Sequence, residues 1–168
     1  DSVTFLNENL GFGVFTEVSY ETSQAVKNIL GKMAYFLEGM MRLTNIKSYH
    51  MQVEYDEKII EDEFIFGMVT NSHSVGGFKG LNGKHVKLND GLFEATFIIM
   101  PKNPVELQNI INALLTRELN NKYIYSFRTA QIKATCKDMV PWTLDGEYGG
   151  TYKEVMISNQ KQAISYVK

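Results

Sequence analysis

One cysteine and three prolines stand among the 168 residues. A lone Cys136 cannot close an internal disulfide, and a chain of this length needs no staples to be stable, so a reducing compartment fits best. No apolar run approaches the roughly 18 residues of a membrane span, and no signal-peptide pattern opens the chain. The expectation is a cytoplasmic domain, soluble or at most peripheral to a membrane. Charge of one sign is missing as well: 17 basic residues stand against 19 acidic ones, a net charge of -2. Such a surface has no general attraction for a phosphate backbone, which argues against nucleic acid as a partner. A local basic patch could still face anionic lipid.

Signatures of several chemistries are missing too. No G-x-x-x-x-G-K-[ST] occurs, and Gly11-Phe-Gly13 lacks the third glycine and the strand-turn-helix setting of a dinucleotide fingerprint. The chain is therefore not expected to be a complete nucleotide-using enzyme. His50, His73 and His85 are scattered without metal-ligand spacing and read as structural or surface residues. Cys136 lies inside a strand pattern and reads as a small buried hydrophobe.

What is present suffices for one core: 44% hydrophobic residues and 12% aromatics in a chain of single-domain length. The chain opens at Asp1 without an initiator methionine, and Val3-Thr-Phe-Leu6 already reads as the middle of a strand. The expectation is a piece of something longer. A first helix is expected from Gln24 to Leu43, with Val26, Ile29, Leu30, Met33, Phe36, Leu37, Met40 and Met41 at three- and four-residue steps. A second opens at Asn103-Pro104, where asparagine caps and proline suits the first helical position, and runs through Leu115 with Glu106 in its first turn.

Alternating patterns predict strands over Ser48–Glu54 and Lys58–Val69, joined by the turn Tyr55-Asp-Glu-Lys58. Further strands are predicted over Glu94–Met100 and, as one long element, Tyr123–Lys137. A final hairpin joins Val155–Ser158 to Gln162–Val167 around Asn159-Gln160. The fold class is α+β, a mostly antiparallel β-sandwich or barrel with two helices.

Two acidic glycine turns are the informative places: Lys87-Leu-Asn-Asp90-Gly-Leu92 and Trp142-Thr-Leu-Asp145-Gly-Glu147. Both serve as tight turns, because Asn-Asp-Gly and Asp-Gly supply the positive φ that short β connections need. They also hold Asp90, Asp145 and Glu147 on rigid strand ends, where a carboxylate can bind a hard cation or accept a proton; magnesium takes oxygen ligands of this kind. Between them and the first hairpin, Gly76-Gly77 would let backbone amides approach a ligand closely, although a plain loop explains the pair as well. The methionine-rich helix reads as core packing or as a lipid-facing groove. Lys79, Lys84 and Lys87 either meet anionic headgroups or are simply solvated.

The order of these motifs is shared with a known family. Phe5-Leu-Asn with Gly11-Phe-Gly13, the segment Leu30-Gly-Lys-Met-Ala-Tyr-Phe-Leu-Glu38, the Gly76-Gly77 loop, Asn89-Asp-Gly-Leu-Phe-Glu94 and Leu144-Asp-Gly-Glu147 follow one another along the whole chain. In this the chain resembles the C-terminal domain of the soluble bacterial diacylglycerol kinase family, whose architecture is similar to that of sphingosine, ceramide and NAD kinases. The resemblance implies a two-domain, ATP-dependent lipid kinase. Its N-terminal domain, with a Gly-Gly-Asp-Gly-type loop for ATP, would be a partner absent from this chain, and the chain alone would be inactive.

The resemblance also implies that Mg2+ is held by Lys87, Asp90 and Leu92, with Lys87 and Leu92 giving backbone carbonyls. The general base is implied to be Glu147, with Asp145 as the second candidate, and the substrate a lipid alcohol met at a membrane surface. A homodimer is possible through an exposed strand edge. Two rivals stand beside this reading: a non-catalytic lipid- or ligand-binding β-sandwich whose acidic turns are only turns, and a kinase-like domain retained for regulation.

Overall fold

The structure, a computed structural model, describes residues 9–13, 46–71, 90–116, 118–119 and 121–160. Among these, seven strands and one helix follow in the order β1 (Asn9–Gly13), β2 (Tyr49–Tyr55), β3 (Lys58–Thr70), β4 (Phe93–Ile99), α1 (Pro104–Thr116), β5 (Ile124–Thr129), β6 (Gln131–Leu144) and β7 (Glu147–Ser158). Every pairing is antiparallel. The α+β, mostly antiparallel expectation holds. The helix predicted over Gln24–Leu43, the opening Val3–Leu6 strand, the Gly76-Gly77 loop and the Gln162–Val167 arm lie outside the described residues.

Register shows how the sheet is built. β3 pairs with β4 along one edge, and its other edge is shared: Lys58–Phe64 meets β2, and Phe66–Thr70 meets β1. β6 does the same, with β7 on one edge and β2, then β1, on the other. β1 and β2 therefore lie end to end in the gap between β3 and β6, and the pairings β1–β3–β2–β6 close into a four-strand circuit. β4 and β5 extend the sheet beyond β3, and β7 extends it beyond β6.

Two hairpins turn on two residues each. Asp56 and Glu57 (φ 44° and 61°) join β2 to β3, and Asp145 and Gly146 (φ 50° and 90°) join β6 to β7. Positive φ at both central positions is the twist-matched two-residue turn, which aspartate and glycine tolerate. The strand predicted over Tyr123–Lys137 is two strands, broken at Ala130. Period-two alternation runs on through the break, so the sequence pattern hides it. In the structure Thr129 Oγ1 donates to Asp56 Oδ1 (2.7 Å) and binds both the carbonyl and amide of Gln131, which pins the bend between the two strands.

β4 and the second half of β3 are buried at every residue. Aromatic rings fill one face: Phe12 lies 5.1 Å from Trp142, 5.9 Å from Tyr49 and 6.2 Å from Phe97, centroid to centroid. α1 adds Leu107, Ile110, Ile111 and Leu114 to the same core. Its N-terminus is capped as expected, Glu106 N–H donating to Asn103 Oδ1 at 3.0 Å, while Glu106 Oε2 accepts from Lys102 N–H at 2.7 Å.

Candidate functional site

Directly opposite residues on neighbouring strands point to the same face of a sheet. Asn9 is opposite Thr70, Thr70 is opposite Glu94, and Glu94 is opposite Arg128. Four strands thus contribute one continuous polar row on the face away from Phe12. Thr70 Oγ1 donates to Asn9 Oδ1 (2.5 Å), and Arg128 Nε donates to Glu94 Oε1 (3.1 Å). Both acidic turns attach to this row, one at each end.

At the β1 end, the Asn9 backbone N–H and the Asn9 side-chain Nδ2 both donate to Asp145 Oδ1, at 2.9 and 3.1 Å. The Asp145 N–H returns a bond to the Asn9 carbonyl at 2.9 Å. The strained-looking φ of Asp145 is therefore held by three bonds to a single residue of another strand. Glu147 sits differently. It pairs with Leu144, which pairs with Leu10, so alternation places Glu147 on the Phe12 face and away from Asn9 and Thr70. Its side chain makes no hydrogen bond among the described residues.

At the β5 end, Arg128 Nη2 meets Asp90 Oδ2 at 2.5 Å, while Asp90 Oδ1 accepts the Leu92 N–H at 3.0 Å. Glu94 is 6% exposed. Its burial pushes the carboxyl above its ordinary value, against the pull of the neighbouring guanidinium. Glu94 Oε2 is buried and has no hydrogen-bond partner among the described residues. The hydrogen bond to Asp90 raises the Arg128 guanidinium further, with help from both carboxylate charges.

Three strand spacings separate Asn9 from Arg128, about 15 Å, so Asp145 and the Asp90–Arg128 pair are two positions on one row and not one cluster. Among the described residues no group of three or more His, Cys, Asp or Glu side chains forms a metal-holding set. Of the three residues expected to hold Mg2+, Asp90 and Leu92 adjoin each other through the Asp90 Oδ1 bond, and Lys87 lies outside the described residues.

His50 is a surface group on Glu61 (2.8 Å) and Glu63 (3.5 Å), and His73 and His85 lie outside the described residues. Cys136 is buried, and burial, then the Asp138 charge, push its thiol up to about 11, which keeps it protonated and unreactive. No described helix is long and apolar enough to cross a membrane. Sequence reasoning missed Asn9, Thr70, Glu94 and Arg128. The available signal was a glutamate and an arginine inside two otherwise apolar or uncharged strands.

Fold and site together define an α+β domain that presents carboxylates, fixed at strand ends, along one face of an antiparallel sheet. No protein-family model matches the chain. It is 33% identical to the diacylglycerol kinase of Bacillus subtilis (strain 168) over 141 residues, covering 83% of this chain and 46% of that protein. It is 34% identical to the diacylglycerol kinase of Staphylococcus carnosus (strain TM300) over 149 residues, covering 87% of this chain and 47% of that protein. A Bacillus anthracis crystal structure, described as that of a candidate diacylglycerol kinase, superposes on 94% of this chain and 50% of its own with a TM-score of 0.63 at 23% identity. The chain belongs to the diacylglycerol kinase family. It spans about half the length of the curated relatives it matches.

Proposed function

We propose that the chain is the substrate-side part of an ATP-dependent lipid kinase, and that Asp145 is its general base. The observation that carries the assignment is the grip of Asn9 on Asp145, set against the lack of any such hold on Glu147. A base must be positioned before it can accept a proton in the transition state. Asp145 is exposed at a hairpin tip, where a bulky substrate can reach it, and its orientation is fixed from β1.

A lipid hydroxyl is a weak nucleophile. As its oxygen bonds to the γ-phosphorus of ATP and the bond to the ADP oxygen breaks, its proton passes to the Asp145 carboxylate. Asp90 and the Leu92 carbonyl are hard oxygen donors of the kind Mg2+ takes, and Lys87 would complete that set through its carbonyl. Bound there, the cation would supply positive charge near the phosphates. The chain lacks a phosphate-cradling motif, so ATP would be bound mainly by the remainder of the relatives' length, and the chain alone would be inactive. The names of the relatives support diacylglycerol as the lipid. Access to it calls for peripheral contact with a membrane.

The test is a phosphoryl-transfer assay on the full-length protein with ATP, Mg2+ and a panel of lipid alcohols. Asp145→Asn should lower kcat by about 10²-fold or more, the usual size of a general-base contribution. Glu147→Gln should stay within a few-fold of wild type. Full activity in both Asp145→Asn and Asp90→Asn would favour the rival reading, a binding module whose acidic turns are only turns.

A further inference from the structure

The Arg128 guanidinium is divided between two carboxylates. Its Nε donates to Glu94 Oε1 at 3.1 Å, and its Nη2 reaches Asp90 Oδ2 at 2.5 Å. These two nitrogens form the side of the guanidinium whose parallel N–H bonds match both oxygens of a single carboxylate. Glu94 has just such a second oxygen in reserve: Oε2 is buried, belongs to a side chain 7% exposed, and has no hydrogen-bond partner among the described residues. A buried carboxylate oxygen left without a donor is costly and needs a reason.

We propose that Arg128 is a two-position counter-ion for Asp90: its fork is split between Glu94 and Asp90 in this structure, and a divalent cation arriving at Asp90 moves it wholly onto Glu94. The inference rests on the reading of Asp90 as a cation ligand. A guanidinium on Asp90 repels a divalent ion at the same carboxylate, so the two occupants exclude each other. Arg128 can give way without being stranded, because Nε keeps its bond to Oε1 while Nη2 exchanges Asp90 Oδ2 for Glu94 Oε2. Arg128 is also well placed to move, being 43% exposed in side-chain terms on β5, which pairs only with β4 among the described residues. Arg128 and Glu94 are thus positioning residues that set how tightly Asp90 takes its cation, and they keep the carboxylate neutralised until it does.

The experiment is Mn2+ binding to the full-length protein, followed by electron paramagnetic resonance without ATP or lipid, with folding checked by circular dichroism. Arg128→Gln removes the competitor and should tighten Mn2+ binding by about tenfold, the order expected for loss of one nearby like charge. Arg128→Lys keeps a charge but not the fork, and should tighten it by less. Glu94→Gln replaces Oε2 or Oε1 with an amide donor, denies the fork its second position and should weaken binding several-fold. In an Arg128→Gln background the Glu94→Gln change should weaken binding by less than it does in wild type, leaving only the effect of one lost negative charge. Unchanged or weaker binding in folded Arg128→Gln and Arg128→Lys overturns the inference, as does a Glu94→Gln effect of undiminished size without Arg128. Asp90→Asn separates the two levels of the argument. If it binds Mn2+ as wild type does, the cation reading itself fails; if it loses Mn2+ while Arg128→Gln does not tighten binding, only the counter-ion role fails.

Discussion

Phe12 and Gly67 face each other across β1 and β3, and the pair shows how one residue's size sets its neighbour's identity. A Cβ on Gly67 would lie 2.1 Å from Phe12 Cε1, so the ring occupies the space any side chain would need. Gly67→Ala should cost about 1–3 kcal/mol, as overpacking of a filled core does. Urea denaturation would measure it, and Phe12→Leu should cost less in that background than in wild type, because the two changes share one contact. Glu94 makes a second residue-scale prediction. Burial raises its carboxyl above 4.5 in the folded state, with Arg128 pulling it down and Asp90 pushing it up. A raised acid binds its proton more readily when folded, so its contribution is full below the unfolded value and is lost as pH rises through the folded one. Stability measured against pH should therefore fall from about pH 4.5 upward more steeply in wild type than in Glu94→Gln; parallel profiles would show that Glu94 does not titrate this way.

At the scale of elements, helix and hairpins were legible for different reasons. α1 was read from Asn103, Pro104 and its apolar period, and the structure places it at Pro104–Thr116 with the cap in place. Asn103→Ala should destabilise the protein by about 1 kcal/mol, the usual worth of an N-cap, seen as a lower midpoint in thermal or urea melts. The Tyr55–Lys58 turn was legible as a polar break between two alternating patterns, and the Asp145-Gly146 turn because positive φ leaves a compositional trace. The break at Ala130 left none, since its cause is a bond from Thr129 to Asp56, seventy-three positions away. Asparagine tolerates the left-handed φ of position 145 nearly as well as aspartate does. Asp145→Asn should therefore preserve the β6–β7 turn, which makes it a test of the carboxylate rather than of the hairpin.

Across the whole molecule, the core ties distant parts of the chain together. Trp142, the single tryptophan, is 3% exposed and packs on Phe12 from the other end of the sequence. Its fluorescence should report loss of the entire sheet: the emission shift in urea should coincide with loss of far-ultraviolet circular dichroism in one cooperative step. An earlier, separate fluorescence change would mean that β1 and β6 part before the rest unfolds. The pairing of β1 with both β3 and β6 argues against that, because releasing β1 would open two seams at once.

The sequence by itself determined the α+β class, the second helix, the strands β2, β3 and β4, the tight turns, and Asp90, Asp145 and Glu147 as residues to watch. These follow from local period and turn chemistry, which act over a few residues. Only the tertiary structure decided that β1 and β2 share one place in the sheet, that Asp145 and not Glu147 is gripped by Asn9, and that Asp90 is joined to Glu94 through Arg128. Each of those depends on strand register. A shift of one residue turns a side chain to the opposite face, and register is set by pairing across the sheet rather than by the residues nearby.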